Sequence, residues 1–220
     1  MGSIQLGSLL GDRLYDLARE ECIKICLEIG TGYGTGSTYC IAKGLKETSG
    51  ILFTIEADPE IMKKAMDSLK KHYFPIFFLL GTAMSSEYLK DWNNYEQEIN
   101  TNKYLPSSLL SEMKTRYLDQ KPYYSHKESG ALLELCKHIN CFDLVFLDGG
   151  TFTSYDEMVF LQNKIGKYLI IDDTNYEKGG RKNVKTRIEL IKSDKFEVLE
   201  DHYEDRTGWM LLKRPPNNLQ

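Results

Sequence analysis

Several things are missing from this sequence, and each absence excludes something. There is no C-x-x-C pair, and the five cysteines, Cys22, Cys26, Cys40, Cys136 and Cys141, are odd in number and set among apolar neighbours. A disulfide framework and a zinc site are thereby disfavoured; the cysteines read as buried free thiols in a reducing compartment. No apolar run reaches the length of a membrane span. No basic stretch followed by an apolar one, as in a signal peptide, stands at the start. The expectation is a cytoplasmic protein with no membrane partner. Positive charge is not in excess: 28 Lys and Arg against 32 Asp and Glu leave a net charge of −4, which argues against a nucleic acid held by bulk electrostatics. Neither an internal repeat nor a domain linker is visible, so residues 1–220 read as one domain with one substantial core.

What is present is concentrated first at Cys26-Leu27-Glu28-Ile29-Gly30-Thr31-Gly32-Tyr33-Gly34-Thr35-Gly36-Ser37. The apolar run Ile23–Ile29 reads as a buried strand, the glycines as a turn, and Ser37–Leu45 as a helix. Strand, glycine turn and helix let backbone N–H groups and a helix N-terminus approach a ligand closely. The dinucleotide pattern G-x-G-x-x-G fails from either start, because Thr35 and Ser37 stand where the third glycine should be.

The remaining chain reads as alternating helices and strands. Residues 3–22 carry a helical apolar stripe. Ile51–Glu56 is a second buried strand ending in an acid 22 positions after Gly34, placed to accept hydrogen bonds from ribose hydroxyls. Asp58 and Pro59 then start a helix. Residues 76–81 form a third strand, ending at Gly81-Thr82-Ala83. A long polar, aromatic segment follows at about 84–129, with helical pieces at Ser86–Ile99 and Ser107–Leu118; an insertion of this length at the carboxyl edge of a sheet is usually a lid or binding loop. Its tyrosines suit stacking on sugar rings, or packing of the insertion onto the domain. Gly130–His138 reads as a helix, Phe142–Gly150 as a fourth strand, Tyr155–Ile165 as a helix and Tyr168–Thr174 as a fifth strand. Asn183–Lys192 is helical, and Phe196–Leu199 and Trp209–Leu212 close the sheet. The basic residues Lys178, Arg181 and Lys182 read as a small loop that either touches an anionic acceptor or, the simpler reading, is solvated. Asp148, Asp172 and Asp173 end the fourth and fifth strands on the same rim.

The acid two residues before G-x-G-x-G, that is Glu28 with Gly30, Gly32 and Gly34, resembles motif I of the class I S-adenosylmethionine-dependent methyltransferases. The resemblance covers roughly residues 20–83 and 130–213. It implies an α/β Rossmann-like fold: a seven-stranded, mostly parallel sheet with helices on both faces and an antiparallel last strand. It implies S-adenosyl-L-methionine as cofactor, held by Glu28, Gly30, Thr31, Gly32, Tyr33, Gly34, Ser37, Glu56, Ala57, Gly81, Thr82, Ala83 and Asp148. The three strand-end acids are similar to the metal site of metal-dependent O-methyltransferases of the catechol and antibiotic-sugar types. That implies Mg²⁺ or another divalent cation on Asp148, Asp172 and Asp173. The sugar type commonly carries a histidine base where this chain has Thr151. The base is then Asp148, an acid of the pair such as Asp172, or His126 of the insertion, or else metal-assisted ionisation alone suffices. The expected partner is a small hydroxylated acceptor, a sugar first; a homodimer is compatible with this reading. A nicotinamide-dependent oxidoreductase and a non-catalytic S-adenosylmethionine-binding subunit are the competing readings.

Overall fold

The computed structural model describes residues 4–20, 22–102, 104–125 and 130–216. Helix α1 (Leu9–Ala18) is shorter than its apolar stripe because Ser8 caps it, the hydroxyl accepting the Gly11 N–H at 3.2 Å. Strand β1 (Ile25–Ile29) starts after Ile23: the Asp143 carboxylate takes the N–H groups of Lys24 and Ile25 at 2.8 and 3.1 Å and stands in for a neighbouring strand there. Helix α2 (Ser37–Thr48) runs past Leu45 to Ser49, whose left-handed backbone (φ 56°) turns the chain into β2 (Ile51–Glu56). Helix α3 (Pro59–Leu69) is capped by Asp58, which accepts the N–H groups of Glu60 and Ile61 at 2.8 and 3.2 Å. Strand β3 (Ile76–Leu80) precedes the insertion.

The insertion holds helices α4 (Trp92–Asn102) and α5 (Leu110–Gln120). The first residues expected in each form separate 3₁₀ turns, Ser86–Tyr88 and Ser107–Leu109. Then come α6 (Ala131–Leu135), β4 (Phe142–Leu147), α7 (Ser154–Leu161), β5 (Ile165–Asp172), α8 (Val184–Lys192), β6 (Glu197–His202) and β7 (Trp209–Lys213). Strand β5 begins where the sequence pattern still reads helix. The Phe142 N–H donates to the Lys164 carbonyl at 2.8 Å and Phe142 pairs with Ile165, drawing that residue into the ladder.

The seven strands lie in the order β3-β2-β1-β4-β5-β7-β6, with β7 antiparallel to both neighbours and the other pairings parallel. This is the sheet the sequence implied. Successive side chains go to opposite faces. Cys26, Leu144, Phe146, Ile170 and Leu211 meet Leu10, Leu14 and Leu17 of α1 and Ile41 and Leu45 of α2. Leu27, Ile29, Val145, Leu147, Leu169 and Ile171 meet Met158 and Leu161 of α7 and Leu190 of α8. Covered on both sides, the central strands are solidly apolar, as parallel sheets require.

A third cluster seats the insertion. Tyr95, Ile99, Leu105, Met113 and Tyr117 pack on Phe152, just after β4, and on Val184 of α8. The Tyr95 and Phe152 rings lie 4.9 Å apart, and the Tyr95 hydroxyl donates to the Phe152 carbonyl at 3.0 Å. These rings serve packing rather than ligand stacking.

All five cysteines are free. Cys26, Cys40 and Cys136 are buried as expected, whereas Cys22 and Cys141 are exposed because they sit in the segments leading into β1 and β4 rather than within elements. No helix among the described residues is long and apolar enough to cross a membrane.

Phe146 is fully buried between β4 and the α1–α2 layer. Phe146→Ala should cost about 3–5 kcal/mol, read as a lower urea midpoint at unchanged m.

Candidate functional site

Between β1 and β4 the strand order reverses, and the crevice outside the carboxyl ends of the strands at such a point is where open α/β sheets hold ligands. A cavity of about 310 Å³ lies there. Its walls come from every strand end of that half-sheet: Gly30 and Gly32 after β1, Glu56 to Asp58 after β2, Gly81 to Ala83 after β3, and Asp148 to Gly150 after β4. The insertion contributes Gln120, Tyr123 and Tyr124, and Glu157 and Lys182 complete the lining.

The glycine turn is built by close approach. Gly30 has φ 101°, and a Cβ on it would stand 2.3 Å from the Asp148 carbonyl oxygen. Only glycine therefore lets the end of β1 touch the end of β4. Glu28 lies beneath this turn and is fully buried. Its Oε2 accepts the hydroxyls of Thr38 and Thr54, both at 2.7 Å, while its Oε1 is buried with no hydrogen-bond partner. Burial pushes its pKa up to about 7, against the hydrogen bonds that favour its charge.

The sequence placed Glu28 beside the cofactor; the structure places it off the cavity lining, because alternation along β1 sends Ile29 to the cavity side and Glu28 toward Thr38 of α2. Thr31, Tyr33, Gly34 and Ser37 also lie off the lining. Thr31 bonds Thr54 at 2.6 Å, Gly34 packs against Leu69 and Ala65, and Tyr33 is 59% exposed.

Glu56 stands inside the cavity. Its Oε2 accepts the Gly32 N–H at 2.9 Å and its Oε1 the Asp58 N–H at 3.1 Å. A carboxylate offers about four lone-pair sites, so each oxygen keeps capacity for a ligand hydroxyl. Asp58, besides capping α3, accepts the Tyr123 hydroxyl at 2.9 Å, which latches the insertion beside Glu56. Beyond Glu56, the Gly81 N–H donates to the Glu56 carbonyl at 2.8 Å and brings Thr82 and Ala83 to the same wall. A Cβ on Gly32 would meet nothing within 4 Å, so the turn leaves open space here. An acid with spare acceptor sites, a glycine turn and an adjoining backbone wall fit a nucleoside cofactor.

The strand-end acids do not fit a divalent cation. Asp172 is 1% exposed and faces Arg206, whose guanidinium reaches its carboxylate at 3.2 and 3.3 Å. Burial, then the neighbouring Asp148 charge, raise the Asp172 pKa to about 7 although Arg206 opposes them. Asp148 lines the cavity, but its Oδ1 is bound by the Lys182 ammonium, which also donates to the Asp148 carbonyl at 3.0 Å and pairs with Asp173 Oδ2 at 3.4 Å. Among the described residues no three acidic, histidine or cysteine side chains converge on one point. The acids expected to hold a metal are engaged by two cations of the chain itself. His126 lies outside the described residues.

No protein-family model and no curated protein matches this sequence. Solved structures do. The SAH-bound methyltransferase PaMTH1 of Podospora anserina is 16% identical, with TM-score 0.56 over 94% of this chain and 79% of that one. The O-methyltransferase TomG of Streptomyces achromogenes, involved in tomaymycin synthesis and solved with SAM, is 16% identical, with TM-score 0.59 over 93% and 78%. An O-methyltransferase of Bacillus cereus solved with SAH is 15% identical, with TM-score 0.58 over 93% and 80%. The fold is the class I methyltransferase fold.

Within that fold, the sequence reading missed three groups. Lys182 is only 24% exposed and is held, not solvated. Asn183 beside it is fully buried and donates to the carbonyls of Leu147 and Asp172 at 3.0 and 2.8 Å, stapling the ends of β4 and β5 together. Glu157 is 1% exposed; it accepts the Thr153 hydroxyl at 2.7 Å, Thr153 in turn bonds the Tyr124 hydroxyl at 2.7 Å, and Glu157 Oε2 is buried without a partner. Burial pushes the Glu157 pKa up to about 7. The one local signal was an acid at helical spacing among apolar residues of α7.

Glu28 sets a pH dependence. Its folded pKa, about 7, lies above its ordinary 4.5, so the stability it contributes is full below about pH 4.5 and is lost as pH rises to about 7. Its share is on the order of 3 kcal/mol. Urea unfolding at pH 5 and pH 8 should show the wild type losing stability, and Glu28→Gln, which cannot ionise, losing less.

Proposed function

We propose that this chain is an S-adenosylmethionine-dependent O-methyltransferase that methylates a hydroxyl of a small acceptor, a sugar first. The observation that carries the reading is Glu56: a cavity-facing acid at the end of β2, locked to the glycine turn by the Gly32 N–H, at the point where the strand order reverses. Dinucleotide-binding sheets of the same opening order run on into a parallel sixth strand. Here β7 enters antiparallel between β5 and β6, which favours the methyl donor over a nicotinamide.

When bound, S-adenosylmethionine supplies a methyl group already activated on a sulfonium. The chain's work is therefore positioning more than activation. Glu56 would accept the ribose hydroxyls, Gly81 to Ala83 would border the base, and Gly30 and Gly32 would leave room for the methionine end. Asp148 is the strand-end acid that lines the cavity, and in this reading it accepts the hydrogen bond of the hydroxyl to be methylated. Gln120 and Tyr123 line the same cavity, the Gln120 amide held by Thr151 and the Tyr123 hydroxyl donated to Asp58, and the oxygen of each keeps a lone pair for a hydroxylated acceptor. Lining by Tyr123 and Tyr124, whose rings are half-buried and buried, excludes water from that side. No step is routed through a metal, because the acids are engaged by Lys182 and Arg206.

Calorimetric titration with S-adenosylhomocysteine should give saturable binding, weakened roughly 10- to 100-fold in Glu56→Ala, the loss of one or two hydrogen bonds to a charged group. NADH should not bind. Binding of NADH without S-adenosylhomocysteine would overturn the reading.

A further inference from the structure

We propose that Lys182 occupies, with its own ammonium group, the place a divalent cation would take between the strand-end acids, so that the site works without metal. The proposal rests on the methyltransferase reading only for the meaning of the site; its geometry stands apart from it.

The charge balance comes first. Asp148, Asp172 and Asp173 carry three formal negative charges on one rim, and like charges that close cannot all persist without compensation. A divalent cation would leave −3 + 2 = −1. Lys182 on Asp148 and Asp173, with Arg206 on Asp172, also leaves −3 + 2 = −1. The chain reproduces the neutralisation with two covalently attached charges.

Coordination comes second. An ammonium has three N–H donors and no acceptor. Lys182 donates to the Asp148 carboxylate and to the Asp148 carbonyl at 3.0 Å, and its charge pairs with Asp173 at 3.4 Å. A hard cation needs several of these same oxygens at once. Asp172 is turned away to Arg206 and has almost no exposed surface.

Construction comes third, because the ammonium is carried by a built loop rather than a solvated tail. Asn183 fixes the next residue to the carbonyl ends of β4 and β5, and the Asn183 N–H donates to the Asp173 carbonyl at 3.2 Å. Ser154 donates its hydroxyl to the Lys182 carbonyl. At Gly180 a Cβ would stand 2.6 Å from the Thr207 carbonyl oxygen and 2.8 Å from the Asp173 carbonyl carbon, so the loop folds back only with glycine there. These contacts hold Lys182 over the cavity edge independently of any ligand. Lys182 is thus a positioning residue: it fixes the Asp148 carboxylate at the cavity wall and cancels its charge, through hydrogen bonds to both the carboxylate and the carbonyl of that residue.

The test uses Mn²⁺ as the probe, with free Mn²⁺ followed by electron paramagnetic resonance in the presence of S-adenosylhomocysteine. The wild type should leave the free-ion signal unchanged. Lys182→Ala and Lys182→Met, which vacate the space between Asp148 and Asp173, should take up one Mn²⁺ at least roughly tenfold more tightly than the wild type, a difference of about 1.4 kcal/mol or more. Lys182→Arg, which keeps the charge, should behave as the wild type. Stoichiometric Mn²⁺ uptake by the wild type would overturn the proposal, as would failure of both neutral variants to bind Mn²⁺ while they still bind S-adenosylhomocysteine and melt cooperatively. If the neutral variants do not fold, the wild-type and Lys182→Arg titrations decide alone, uptake by either one overturning the proposal and uptake by neither supporting it. Loss of S-adenosylhomocysteine binding by the wild type itself would instead sink the cofactor assignment, whatever the Mn²⁺ result.

Discussion

A carboxylate that never meets solvent holds the centre of this molecule. Glu28 ties three elements at one point: β1, which carries it, β2 through the Thr54 hydroxyl, and α2 through Thr38. The glycine turn lies directly above, and its closeness to β4 at Gly30 depends on that junction staying in register. A buried acid with one unpartnered oxygen is costly. Two threonine hydroxyls on its other oxygen offset part of that cost. Glu56 is locked to the same turn by Gly32, so one acid supports the turn from within the core and the other faces the cavity from its far side.

Much of this was legible in the sequence because it is local. The apolar run with its glycines, the strand-end acid Glu56 a fixed distance later, and the Asp58-Pro59 helix start each depend on residues that are neighbours in the chain. What escaped depends on direction or on distance. Alternation within β1 turns Glu28 away from the cavity wall, which motif spacing alone does not reveal. Lys182 looked like part of a solvated basic loop because its partner Asp148 is 34 residues away and the two meet through tertiary contacts such as the β4–β5 staple at Asn183. The helix–strand boundary at Ile165 moved for the same reason, since its pairing with Phe142 is set by the sheet and not by the local pattern.

The strand-end acids show how one sequence pattern admits two chemistries. Three aspartates at the carboxyl edge of a sheet read as hard oxygen ligands, and the same three read as partners for fixed cations once their neighbours are known. Charge alone cannot separate the two, because both end at the same net value. Direction separates them: Asp172 is committed to Arg206 behind the rim, and Asp148 to a lysine beside the cavity.

The insertion divides its labour by depth. Tyr95, Tyr117 and Met113 grip Phe152 and Val184 in a sealed layer, whereas Gln120 and Tyr123, at the end of α5 and just beyond, reach the cavity. Tyr123 also takes part in the seating, because its hydroxyl donates to Asp58, and Gln120 is tied to Thr151. A change at either residue therefore alters the cavity wall and one latch of the insertion together. The layer on Phe152 and Val184 carries the rest of the seating, so the wall can vary without the hairpin losing its hold on the sheet.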